Sequence, residues 1–134
     1  MRTIFVSLPV RNMAVSKAFF SELGFTFRPE LCGNEIACMI VDRNIHVMLV
    51  AEDRFRDSVD SEMRHATAST GFVTSLSAGS EQEVDQTVTK AIAAGGKPWP
   101  IVEECPVYSG SFQDLDGHVW QLIYQPQPDK RCHD

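Results

Sequence analysis

The sequence predicts an α+β fold made of two tandem βαβββ modules that curl round a shared cavity. Three observations carry this expectation. The chain has 134 residues, room for one domain of ordinary size, and its 43% apolar and 22% charged residues are the balance of a chain that folds round a core. The order of signals in the first half, strand, helix, strand, strand, strand, returns in the second. The two halves also align at an offset of about 70 residues, with Leu8 beside Leu76, Gly24 beside Gly95 and Asn44 beside Gly117. One βαβββ copy lays a single helix on its sheet, so the other face must be covered or must line a cavity. Two copies curling their helix-free faces round one concave space leave a place for a ligand.

Each element has its own warrant. Residues 3–10, TIFVSLPV, are β-branched and apolar and read as a strand, with Pro9 near the end where a missing N–H costs least. Asn12 is a candidate N-cap for a helix whose buried stripe is Val15, Phe19, Phe20 and Leu23, and Gly24 stops it. Phe25 to Arg28 reads as a strand ended by Pro29. Glu35 to Val41 and Ile45 to Val50 are two further strands joined by the tight turn Asp42-Arg43-Asn44. Residues 52–70 are charged and lack a sustained apolar period, so they read as a linker that opens with a short helix from Glu52 to Val59, anchored by Phe55 and Val59.

The second module opens on the strand Gly71 to Ala78. Ser80 then caps a helix, Glu83 completes a capping box, and Val84, Val88, Ala91 and Ile92 form the buried stripe before Gly95-Gly96. Lys97 to Glu104 is an extended segment interrupted by Pro98 and Pro100. Tyr108 to Gln113 and His118 to Gln125 are strands joined by the turn Asp114-Leu115-Asp116-Gly117. The expected organisation is a module at 2–51, a linker at 52–70, a module at 71–125 and a polar tail at 126–134, all within one domain.

Twelve Lys and Arg against eighteen Asp and Glu give a net charge of −6. No electrostatic attraction favours nucleic acid or an anionic membrane surface. No segment approaches the roughly 18 apolar residues of a membrane span, and the N-terminus has no signal-peptide pattern, so the expected location is cytoplasmic. The cysteines Cys32, Cys38, Cys105 and Cys132 form no C-x-x-C pair and fit no zinc spacing, so they read as free thiols.

Two stretches carry a family resemblance. LPVRNMAVSKAFFSELGF resembles the opening of the glyoxalase/bleomycin resistance protein/dioxygenase superfamily, the vicinal oxygen chelate proteins. SFQDLDGHVWQLIY resembles their closing strand, turn and strand. The likeness covers nearly the whole chain in the same order, and it is nearest to the branch labelled predicted lactoylglutathione lyase. It implies the glyoxalase/bleomycin resistance/dihydroxybiphenyl dioxygenase fold, a homodimer, and a divalent metal held by His, Gln or Glu at four places on the first and last strands of the two modules. Carried onto this sequence through the repeat, those places are Phe5, Met48, Val73 and Gln121. Phenylalanine and valine have no donor atom, and a thioether is a soft ligand. No metal and no other cofactor is therefore expected.

The candidate ligand-binding residues are Phe5, Ser7, His46, Met48, Val73, Tyr108, Ser111, Val119 and Gln121. His46 shares strand parity with Met48 and is the imidazole expected to face the cavity, where it can orient a ligand or act as a base. His118 is expected to hold its turn. Trp120 and Tyr124 have the opposite parity from Gln121 and belong to the core. The functional expectation is a small-molecule binding protein with an apolar cavity and no superfamily metal. A metal-dependent lyase or dioxygenase using Gln121 and His46 in an atypical site is the alternative, and a non-catalytic interaction module using 52–70 is a third.

Overall fold

A computed structural model describes residues 2–57, 73–100 and 107–125. The chain divides into two units, Met1–Gly71 and Phe72–Asp134, and each contains a mixed four-stranded sheet.

In the first unit the order along the chain is β1 (Ile4–Val10), α1 (Met13–Glu22), β2 (Thr26–Phe27), a 3-10 turn (Pro29–Leu31), β3 (Ile36–Asp42), β4 (Ile45–Ala51) and α2 (Glu52–Asp57). The sheet order is β1-β4-β3-β2, with β1 parallel to β4 and the other pairs antiparallel. The second unit repeats the plan with β5 (Val73–Ser77), α3 (Glu81–Ala93), β6 (Lys97–Pro98), β7 (Tyr108–Gln113) and β8 (Val119–Tyr124), in the order β5-β8-β7-β6. The repeat read from sequence is thus present in register. Leu8 lies opposite Leu49 in the first sheet, and Leu76 lies opposite Leu122 in the second.

The two long helices are terminated identically. After α1, Gly24 N–H donates to Ser21 and Phe25 N–H to Phe20. After α3, Gly95 N–H donates to Ile92 and Gly96 N–H to Ala91. Both are Schellman closures, which need a left-handed residue just past the helix. Gly24 and Gly95 supply it, at φ of 103° and 112°. The Phe20 and Phe25 rings meet edge to face, adding the apolar contact that accompanies such a closure. At the other ends, Asn12 Oδ1 accepts from Val15 N–H at 3.1 Å and Ser80 Oγ accepts from Glu83 N–H at 3.0 Å. Glu83 reaches one residue further back than a standard capping box, accepting from Gly79 N–H.

Period-two alternation sorts each sheet into two faces. On the first, Leu8, Val10, Ala37, Met39, Val47 and Leu49 are buried on one side with Phe19, Phe20 and Leu23 of the α1 segment. On the second, Phe112, Trp120 and Leu122 are buried on the side where α3 places Val84 and Ala91. Gly110 is the point of closest approach, since a Cβ there would lie 2.9 Å from Val88 Cγ2.

Several expectations need correction. Val15 is 49% exposed, because the buried stripe of α1 runs through Ser16, Phe19, Phe20 and Leu23 and leaves Val15 at its outer edge. Ile92 is likewise exposed, at the edge of the stripe on α3. The strand expected at Phe25 to Arg28 shortens to Thr26–Phe27, because the chain turns at Pro29–Leu31. The helix expected from Glu52 covers Glu52–Asp57. Val59, the rest of 58–72, 101–106, Cys105 and Cys132 lie outside the described residues.

Candidate functional site

The face of the first sheet turned away from the buried stripe of α1 carries Phe5 and Ser7 from β1, His46 and Met48 from β4, and Cys38 from β3. Register fixes their neighbours. Phe5 lies opposite His46 and Ser7 opposite Met48, while on the other side of β4 Cys38 lies opposite Met48. The Phe5 and His46 rings stack with centroids 5.0 Å apart and planes 19° from parallel. Phe5 is 57% exposed, yet it covers an imidazole that is only 6% exposed. Cys38 Sγ lies 3.9 Å from His46 Nδ1, and the thiol is fully buried. Burial raises the Cys38 pKa, so its resting form at neutral pH is the thiol.

Beside this face lies an open cleft of about 660 Å³, lined by residues 30–36, Met48 and Arg54. Pro29 starts the 3-10 turn and sends the chain round into β3. Leu31 and Ile36 supply apolar wall, and Met48 brings the sheet face into the lining. Arg54 of α2 donates to Glu35 at 3.3 Å, and Arg28 donates to Glu30 at 3.0 Å. These ion pairs are exposed and contribute little stability; what they add is a charged rim. The Glu30 carboxyl is held below its ordinary pKa by a backbone amide first and by Arg28 second, so it stays ionised.

The corresponding face of the second sheet carries a polar row. Ser75, Gln121 and Ser111 lie side by side across β5, β8 and β7, where Ser75 Oγ donates to Gln121 Oε1 at 2.7 Å. Val73, Val119 and Gln113 form the adjoining row. Gln121 is 7% exposed and Val73 42%.

Of the nine residues that the sequence assigned to one cavity, Phe5, Ser7, His46 and Met48 share a face of the first sheet, and Val73, Ser111, Val119 and Gln121 share a face of the second. Tyr108 does not belong with them. It differs from Ser111 by three residues on one strand and so points to the opposite face, where its hydroxyl donates to Asp85 of α3 at 2.5 Å. That hydrogen bond raises the Tyr108 pKa. Cys38, read from the sequence only as a free thiol, joins His46 on the first of these faces. The cleft residues Glu30, Leu31, Glu35 and Arg54 were missed, because a short polar loop and a charged helical turn carry no signal that they meet.

The turn between β7 and β8 is built round one carboxylate. Asp114 Oδ1 accepts from the backbone N–H of Asp116 and His118, each at 2.9 Å, and Oδ2 accepts from Trp120 Nε1 at 3.0 Å. Gly117 turns the chain at φ 89°. Burial raises the Asp114 pKa against the opposing influence of His118 and the Trp120 hydrogen bond. His118 thus belongs to the turn, as expected.

At the four places that the sequence resemblance assigns to a metal, the side chains do not fit a divalent oxygen-seeking ion. Phe5 and Val73 offer nothing, Met48 offers a soft sulfur, and the Gln121 oxygen already accepts from Ser75. Among the described residues no group of three or more His, Cys, Asp and Glu could hold a metal. Among them also, no helix is long and apolar enough to cross a membrane.

No protein-family model matches the chain, and no curated protein sequence matches it. Solved structures do. Hypothetical protein SA1046 from S. aureus is 24% identical, with a TM-score of 0.73 over 93% of this chain and 95% of its own. A glyoxalase/bleomycin resistance protein/dioxygenase family enzyme from Burkholderia phytofirmans is 16% identical, with a TM-score of 0.74 over 92% and 98%. The fosfomycin resistance protein FosX from Listeria monocytogenes is 15% identical, with a TM-score of 0.66 over 97% and 95%. With its two βαβββ sheets in matching register, the chain has the fold of the glyoxalase/bleomycin resistance/dioxygenase superfamily.

Proposed function

We propose that the protein binds a small molecule, without the superfamily's divalent metal, in the cleft beside the helix-free face of the first sheet. The observation that carries this reading is the cleft itself. Its volume of about 660 Å³ falls within the range of small-molecule sites, and it joins apolar wall from Leu31, Ile36 and Met48 to a charged rim at Arg54 and Glu35. That mixture suits an amphipathic ligand with a polar group at one end. The likeness to FosX and to the glyoxalase/bleomycin resistance protein/dioxygenase family enzyme supports a small-molecule role without naming the ligand. We also propose that the protein acts as a homodimer in the cytoplasm, which sedimentation equilibrium of the purified chain tests for assembly.

The reading is tested by thermal shift against a panel of planar amphipathic compounds, with and without EDTA. A ligand should raise the midpoint with concentration as mass action requires, equally in both buffers, and Leu31→Asp should abolish the shift. A midpoint that falls on adding EDTA, or one equivalent of a divalent metal in the purified protein, would refute it.

A further inference from the structure

The structure assigns Cys38, His46 and Met48 to a binding site for a soft monovalent cation of the Cu(I) or Ag(I) type. The three donors sit on one face of the β3–β4 hairpin. Cys38 and Met48 are direct cross-strand partners, so their Cβ atoms lie roughly 5 Å apart on the same side of the sheet. His46 is two residues before Met48 on the same strand and therefore shares that face. Thiol, thioether and imidazole together are a donor set that soft ions prefer and that magnesium, manganese and calcium do not.

The separation of the sulfur and the ring nitrogen fits ligation. Bond lengths of about 2.3 Å to sulfur and 2.1 Å to imidazole nitrogen span the 3.9 Å between Cys38 Sγ and His46 Nδ1 when the angle at the ion is about 125°. That is close to trigonal, and it leaves the third position for the Met48 sulfur. The surroundings suit such an ion as well. Cys38 is fully buried and His46 nearly so, with the Phe5 ring laid over the imidazole, which shields the pair from water. Met48 is half-buried and also lines the open cleft, so an ion reaches the pair past its flexible thioether. As the sulfur–ion bond forms, the S–H bond of Cys38 breaks and its proton passes to solvent; no electron is transferred.

The site does not depend on the small-molecule reading, and its test uses ligand-free protein. Full-length protein in which Cys32, Cys105 and Cys132 are replaced by Ser is titrated anaerobically with Cu(I) against a chromogenic Cu(I) chelator, and with Ag(I) followed by native mass spectrometry. One equivalent should bind. X-ray absorption at the copper edge should show sulfur and nitrogen scatterers together. Cys38→Ser should abolish binding, while the volume-conserving Met48→Leu and the stack-preserving His46→Phe should each weaken it by roughly 10–100-fold. Millimolar Mg²⁺ or Mn²⁺ should not compete. No bound equivalent, or affinity unchanged in Met48→Leu and His46→Phe, would overturn the assignment even if Cys38→Ser fails to fold.

Discussion

Gly110→Ala tests how tightly the second sheet is packed against its helix. Gly110 lies on the helix side of β7, and an added Cβ would fall 2.9 Å from Val88 Cγ2 and 3.0 Å from Val84 Cγ1. Ordinary carbon contacts need about half an ångström more. The helix must retreat by that amount or two valines must leave their rotamers, and a helical valine has essentially one good rotamer. Overpacking of this kind costs about 1–3 kcal/mol. Replacing a strand glycine returns about 0.5–1 kcal/mol, so the net loss is about 1–2 kcal/mol. For a chain of this length that lowers the melting temperature by roughly 4–8 °C. The assay is equilibrium urea unfolding followed by tryptophan fluorescence, with Val88→Ala added as the rescue. Removing the Val88 methyls should relieve the strain, giving a coupling energy of about 1 kcal/mol between the two sites. Gly110→Ala within about 0.5 kcal/mol of the parent, or a strictly additive double variant, would refute the packing argument.

Three further outcomes are expected. Asp114→Asn places an amide N–H₂ against Trp120 Nε1, leaving a buried donor unpaired at a cost of about 1–3 kcal/mol in chemical denaturation. Because the folded Asp114 pKa is raised, its stabilising proton is bound below the ordinary carboxylate value and lost as pH rises through the folded one; urea titrations across that acidic window should show a stability decline that the Asn variant lacks. Tyr108→Phe removes only the hydrogen bond to Asp85 on the helix side, so ligand-induced thermal shifts should persist unchanged, and their loss would return Tyr108 to the site. Asn12→Ala deletes the cap of α1 and should cost about 0.5–1 kcal/mol by urea melt, near the low end because Val15 is half exposed to water that can take over its N–H.

Punctuation and parity account for what the sequence made legible. The helix caps at Asn12 and Ser80 and the stops at Gly24 and Gly95 are local chemistry, fixed by a few neighbouring atoms, and they stand where the residues put them. Strand parity sorted Phe5, His46 and Met48 to one face for the same local reason. The same alternation sets Tyr108 and Ser111, three residues apart on β7, on opposite faces. The cleft was out of reach because Arg54 meets Glu35 only after β3 and β4 have paired, 19 residues apart. The nearness of Cys38 to His46 likewise depends on hairpin register, which a bulge between Ile40 and Asp42 shifts by one.

The parallel pairing of first and last strands within each sheet has a kinetic consequence. Ile4 pairs with Ile45 and Val73 with Val119, so each sheet is completed by a chain closure of about 41 and 46 residues. Closure entropy grows only with the logarithm of loop length, yet it must be met before a non-local pair returns anything. Neither closure spans the molecule. Each sheet can therefore close within its own half, the local β3–β4 and β7–β8 hairpins offering an edge to the parallel neighbour. During synthesis the first sheet has all its strands once residue 51 is free, before the second has begun to emerge.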